Sequence, residues 1–136
     1  MRIIGLDLGE KRIGVAAADD RTQVAVPVTT IEADGDPVAA ITSLVHEQNA
    51  DELVVGLPLS MTGVMGPQAL LTMEVVEALR ERTALPVHTW DERLTTAQAS
   101  RSTPRRGRAA AKGARDAIAA AILLQAFLDS RRTSRA

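Results

Sequence analysis

Cysteine and tyrosine are both missing from this 136-residue chain, and its only aromatic residues of the Phe, Trp and Tyr class are Trp90 and Phe127. Without cysteine there is no disulfide and no thiolate metal site, which is compatible with a reducing compartment. With so few rings, bases have little to stack on, so nucleic-acid binding would lean on charge and backbone contacts. No apolar run reaches the roughly 18 residues of a membrane span. The charged start at Arg2 leads straight into a strand-like pattern, unlike a signal peptide. A cytoplasmic protein without a membrane partner is the expectation.

Hydrophobic residues make up 46% of the chain and are mostly Ala, Val, Leu and Ile. Such a core packs with branched aliphatics, as the centre of a parallel sheet does. The net charge of −1 hides a division. Residues 1–100 hold 7 Lys/Arg and 15 Asp/Glu, a balance of −8, whereas residues 101–136 hold 9 and 2, a balance of +7. The basic part could meet a polyanion that the acidic part repels, or it could serve only as a solubilising tail.

The periodicity predicts β-β-β-α-β-α-β-α. Strands are expected at Ile3–Leu6, Ile13–Ala18 and Gln23–Ile31, joined by the GEKRIG and DDR turns. Pro27 inside the third points to an edge position or a bulge. Asp36 followed by Pro37 reads as an N-cap and first helical position, and Val38, Ile41, Leu44 and Val45 recur at helical spacing up to Asn49. ELVVG at 52–56 reads as a buried parallel strand, followed by the loop LPLSMTGVMGPQ. A helix is expected over 68–82, with Leu71, Val75, Val76 and Leu79 inward, then a strand over 86–90 and a helical turn over 95–99. Residues 100–110 read as a basic, mobile loop by composition. A last helix is expected over 111–128, with Ile118, Ile122, Leu123 and Phe127 inward, before a short basic tail. The fold class is α/β, a five-stranded mixed sheet made of a three-strand antiparallel meander and two parallel strands, flanked by helices. The chain reads as one domain over 1–136.

Ligands of such sheets bind at the carboxyl ends of central strands. Asp7 ends the first strand, Asp91 and Glu92 follow the fifth, and Asp116 lies in the alanine-rich last helix. Small neighbours would let that helix approach the sheet and bring Asp116 towards Asp7. Three gathered carboxylates need a compensating cation, and their oxygens suit Mg²⁺ or Mn²⁺. One or two such ions could activate water for phosphodiester cleavage. Each acid also has a plainer reading: a turn cap for Asp7, exposed loop charges for Asp91 and Glu92, a surface pair with Lys112 for Asp116.

GLDLGEKRIGVA, VVGLPLSMTG, WDERLTT and KGARDAIAAAILLQAFL, in this order, resemble the YqgF family, also called RuvX or Holliday-junction-resolvase-like. The resemblance covers about residues 2–129. It implies a ribonuclease H-like fold and a metal-dependent nuclease that matures the 5′ end of 16S ribosomal RNA precursor, with branched DNA as the other proposed substrate. By motif it implies catalytic and metal-binding roles for Asp7, Glu92 and Asp116. Asp91 is left as an alternative ligand in place of Glu92, or as the residue that orients a metal-bound water or Arg93. Lys11, Arg12, Arg93, Arg105, Arg106, Arg108 and Lys112 are the expected contacts to the nucleic-acid backbone.

The chain departs from the family pattern in the helix after the loop, which lacks the Arg and Phe often seen there, and at two single positions. Thr62 stands where the family often has an acid, and Ala117 where a small polar residue usually follows the last acid. Two rival classes follow. GLDLGEKRIG also suits one lobe of a sugar-kinase or actin-like ATPase, which needs two lobes. A nucleic-acid-binding ribosome-assembly factor without catalysis would tolerate Thr62 and Ala117. His46 and His88 are weaker acid–base candidates, and Trp90 reads as core. The oligomer, monomer or homodimer, is left open.

Overall fold

The structure is a computed structural model, and it describes residues 1–33, 35–94 and 112–135. Strand β1 (Arg2–Leu8), β2 (Arg12–Asp19) and β3 (Val26–Glu32) form the antiparallel meander. Helix α1 (Pro37–Gln48), β4 (Glu52–Leu57), α2 (Pro67–Arg82), β5 (Val87–Asp91), a 3-10 turn (Glu92–Leu94) and α3 (Lys112–Arg135) follow. The five strands lie in the order β3-β2-β1-β4-β5, with β4 parallel to both β1 and β5. This is the mixed sheet that the periodicity predicts.

Local signals explain most boundaries. The Asp36 side chain accepts a hydrogen bond from the Ala39 N–H at 3.2 Å, and Asn49 closes α1 with φ 52°. Pro27 sits in the edge strand β3, beside the register shift between Val15 and Ala16. Strand β3 starts later than expected because Gln23 turns the chain at φ 58°, its N–H bonded to the Asp19 carbonyl at 3.0 Å.

The two faces of the sheet carry separate cores. Helices α1 and α2 cover Ile4, Leu6, Ile13, Val15, Leu53 and Val55. Helix α3 covers Ile3, Ala16, Ala18 and Val54. Two helix faces differ from expectation. In α2 the inward residues are Ala69, Thr72, Val76 and Leu79, while Leu71 is 56% exposed. In α3 the buried residues are Ala117, Ala120, Ala121, Leu123, Leu124 and Leu128, with Ile118 and Ile122 only half-buried. A continuous alanine and leucine run leaves the facing side undetermined until the sheet selects it. The helix also runs on to Arg135, through the stretch expected as a tail.

The two ends of α3 are held differently. Near its C-terminus, Arg131 reaches the Glu52 carboxylate at 2.6 and 3.1 Å, and His88 Nε2 meets the same carboxylate at 2.5 Å. Phe127 packs between them, with the Arg131 guanidinium 4.8 Å from its ring centre and Trp90 edge-on at 6.1 Å. Near its N-terminus α3 meets the sheet backbone to backbone, at Gly14 of β2. Among the described residues no helix is long and apolar enough to cross a membrane.

Candidate active site

β1, β4 and β5 are parallel, so their carboxyl ends share one edge of the sheet. Asp7 stands near the end of β1, opposite Gly14 of β2. By strand alternation it faces α3, as Ile3 and Gly5 do. Glu92 opens the 3-10 turn just past β5. Room for the Glu92 side chain comes from Gly56 of β4, where an added Cβ would lie 2.7 Å from Glu92 Oε1. Gly14 does the same for α3: an added Cβ there would lie 1.9 Å from the Asp116 carbonyl oxygen. The alanines of α3 supply one side of this close approach, as expected from the sequence. The glycines across from them, Gly5, Gly14 and Gly56, complete it. They lie on three neighbouring strands, β1, β2 and β4, so strand pairing and not spacing along the chain brings them to one face of the sheet.

Asp7 and Glu92 are hydrogen-bonded through their carboxyl groups. Burial raises Asp7 above its ordinary range, the bond to Glu92 lowers it, and the Asp116 charge raises it. Burial, the bond to Asp7 and the charges of Asp7 and Asp91 push Glu92 up to about 8. Burial and the closeness of the two carboxyls thus favour a proton held within the pair. Asp116 of α3 acts on Asp7 by its charge and is itself held by Arg12, Nε to Oδ2 at 3.2 Å.

The two adjacent acids of the WDER motif point apart. Asp91 turns to Arg93, which approaches its two oxygens at 2.6 and 3.0 Å. Those hydrogen bonds outweigh partial burial and hold Asp91 below the usual carboxylate range. Glu92, not Asp91, faces Asp7. Arg93 also donates to the Met61 carbonyl at 3.4 Å and lies against Gly63, whose φ is 85°. It thereby joins the 3-10 turn to the loop 58–66. In that loop Thr62 shares a hydroxyl–hydroxyl contact of 3.0 Å with Ser60, which also caps the Val64 N–H. Thr62 is thus part of the loop's own fold.

The expected basic contacts are distributed unevenly. Lys11 is exposed at the hairpin tip. Arg12 and Arg93 are engaged with Asp116 and Asp91. Lys112 begins α3. Arg105, Arg106 and Arg108, and the turn expected over 95–99, lie outside the described residues. His88 is bonded to Glu52 and stacked near Phe127, away from the acids, and His46 is exposed in the last turn of α1. Glu52 is the buried charge that the sequence reading passed over as a strand residue.

The donor chemistry suits a hard divalent cation. Asp7 and Glu92 already meet, and Asp116 acts on Asp7 through space. As the described side chains stand, no group of three His, Asp or Glu is arranged around a single ion position. The Arg12 contact occupies one Asp116 oxygen.

Comparison with known proteins bears on the family and the fold. The family model described as "RuvX: Holliday junction resolvase" matches residues 1–130. A protein of Caldanaerobacter subterraneus subsp. tengcongensis, named "Putative pre-16S rRNA nuclease", is 42% identical over 98% of this chain and 100% of its own length. Among solved structures, Thermus thermophilus RuvC in complex with Holliday junction substrate superposes with a TM-score of 0.62 at 14% identity, covering 98% of this chain and 96% of that one. The fowlpox virus Holliday junction resolvase gives 0.58 at 15%, covering 96% and 99%. These two likenesses are of fold, and they agree with the ribonuclease H-like arrangement expected from the sequence.

Proposed function

This chain belongs to the RuvX family, and on that premise we propose that it is a divalent-metal-dependent nuclease that hydrolyses phosphodiester bonds in structured nucleic acid. The substrate that the relatives' name favours is the 16S ribosomal RNA precursor. The observation that carries the reading is the meeting of Asp7 and Glu92 at the carboxyl edge of the sheet, with Asp116 of α3 near enough for its charge to act on Asp7.

Asp7, Glu92 and Asp116 would hold one or two Mg²⁺ or Mn²⁺ ions. When bound, such ions supply an activated water and charge stabilisation at the scissile phosphate. The protein's own part is placement. The sheet edge fixes Asp7, the 3-10 turn aims Glu92, and the Gly14 contact sets how near Asp116 stands. Glu92 must give up its proton to act as an anionic ligand. Asp91 acts by holding Arg93, which steadies the loop 58–66 beside the acids. Lys11, Lys112, Arg105, Arg106 and Arg108 would guide the backbone of the polymer, giving salt-dependent binding. In this reading residues 1–136 work as one nuclease domain in the cytoplasm.

Branched DNA is the second substrate, favoured by the description of the matching family model. The test is cleavage of a precursor-rRNA fragment and of a four-way DNA junction with Mn²⁺, Mg²⁺ or chelator, beside Asp7→Asn. Metal-dependent cutting that disappears in the variant, with one polymer preferred, is the expected result. Binding of either polymer without cutting, unchanged in Asp7→Asn, would overturn the nuclease reading in favour of a non-catalytic assembly factor.

A further inference from the structure

Arg12 stands at the foot of β2, beside the exposed tip residue Lys11, yet it turns inward. Its Nε meets Asp116 Oδ2 at 3.2 Å, with 28% of the Arg12 side chain and 36% of the Asp116 side chain exposed. The partners lie 104 residues apart, so the contact links the hairpin to the first turns of α3. A guanidinium and a divalent cation draw on the same resource, the lone pairs of a carboxylate. Two cations on one carboxylate also repel each other, so occupation by one weakens the other.

We propose that Arg12 competes with a divalent cation for Asp116 and, once displaced, turns to the substrate phosphate beside the acids. The inference rests on the metal-dependent reading given above. Three features support the exchange. The ion pair is partly solvated, so it can open without stranding a buried charge. The guanidinium has a planar fork suited to phosphate, and a long stem that can swing. The site is otherwise acidic, so a phosphate gains from a cation released at the moment a metal ion neutralises the carboxylates. Metal and nucleic acid would then favour each other's binding, as linkage requires.

Calorimetric titration of the full chain with Mn²⁺ tests the first half, using wild type, Arg12→Ala, Arg12→Gln and Asp116→Asn, each checked for folding by circular dichroism. The two Arg12 variants should bind Mn²⁺ roughly fivefold more tightly than wild type, and Asp116→Asn more weakly. Fluorescence anisotropy with a labelled RNA hairpin tests the second half. It is run at several salt concentrations with and without Ca²⁺, and the RNA is checked for integrity afterwards. With Ca²⁺, the slope of log affinity against log salt should be smaller by about one in the Arg12 variants; without it, it should match wild type. Equal or weaker Mn²⁺ binding by both Arg12 variants, with Asp116→Asn still impaired, overturns the competition and leaves the metal reading standing. An unchanged slope with Ca²⁺ overturns the turn to phosphate. No Mn²⁺ binding by wild type or any variant overturns both this inference and the metal-dependent reading.

Discussion

Gly14 and Asp116 meet backbone to backbone: a methyl group on the glycine would lie 1.9 Å from the Asp116 carbonyl oxygen. The obstacle is main chain, so no side-chain rotamer can relieve it. Helix α3 itself would have to move, and Asp116 with it.

Gly14→Ala therefore tests whether the approach of α3 sets the site. Overpacking of this kind costs about 1–3 kcal/mol, readable as a lower urea midpoint. Cleavage should fall at least about tenfold at temperatures where the variant is still folded, because small misplacements of reacting groups cost about that much or more. A variant that cuts at the wild-type rate would show that the position of Asp116 is not set here.

The Asp7–Glu92 pair predicts a pH dependence of stability. Glu92 rises from an ordinary 4.5 to about 8, first through burial and then through Asp7 and Asp91. Between those values the folded protein holds a proton that the unfolded chain has lost. That contribution is fully present below about pH 4.5 and disappears as pH rises through about 8. Asp7, also raised, acts in the same direction. In metal-free buffer the urea midpoint of wild type should fall on going from about pH 5 to about pH 9. Glu92→Gln should fall less, and a curve parallel to wild type would contradict the assignment.

Cleavage should show the opposite trend. A carboxyl group must lose its proton to bind a cation, so at limiting Mn²⁺ the rate should climb with pH towards about 8. Raising Mn²⁺ should shift the climb to lower pH, because metal and proton compete for the same oxygens. A profile that ignores Mn²⁺ concentration would place the titrating group outside the site.

Glu52 and Arg131 anchor the far end of α3, with only 5% of the Glu52 side chain exposed. Burial opposes ionisation there, but hydrogen bonds from Arg131 and His88 hold Glu52 below its ordinary range. Arg131→Met removes the stronger charge and should cost about 3 kcal/mol in urea denaturation. Adding Glu52→Met should restore part of the loss, since the cost of the single change is an uncompensated buried carboxylate.

Arg93 touches Asp91 and the Met61 carbonyl. Arg93→Ala should loosen the loop 58–66, seen as faster proteolysis there, and lower kcat/KM while leaving the urea midpoint near wild type. A lost midpoint with an intact loop would make Arg93 a stability residue instead.

Much of the fold was legible along the chain. The strand and helix order, the Asp36 cap and the edge position of Pro27 all depend on residues within a few positions of one another. The inward faces of α2 and α3 were read less well. Leu71 fits a helical stripe but lies outside, while Thr72 is buried with its hydroxyl bonded to the Gln68 carbonyl at 2.9 Å. In that helix periodicity permits two neighbouring faces, and the packed sheet chooses between them. Glu52 looked like an ordinary first residue of a strand because its partners lie 36 and 79 residues away.

The candidate site divides in the same way. Four acids at strand ends and in an alanine-rich helix are visible in the sequence, because carboxylates at turns and small residues in helices are local choices. Which of them meet is a matter of contact across the chain. Asp91 and Glu92 are neighbours in sequence and part in space, one to Arg93 and the other to Asp7. Arg12 reads as a hairpin-tip cation free to touch phosphate, and it finds Asp116 only once α3 is laid on Gly14. Spacing and residue type settle what chemistry the chain can carry. Packing settles where each group points, because a side chain's partner depends on backbone that folds in from about a hundred residues away.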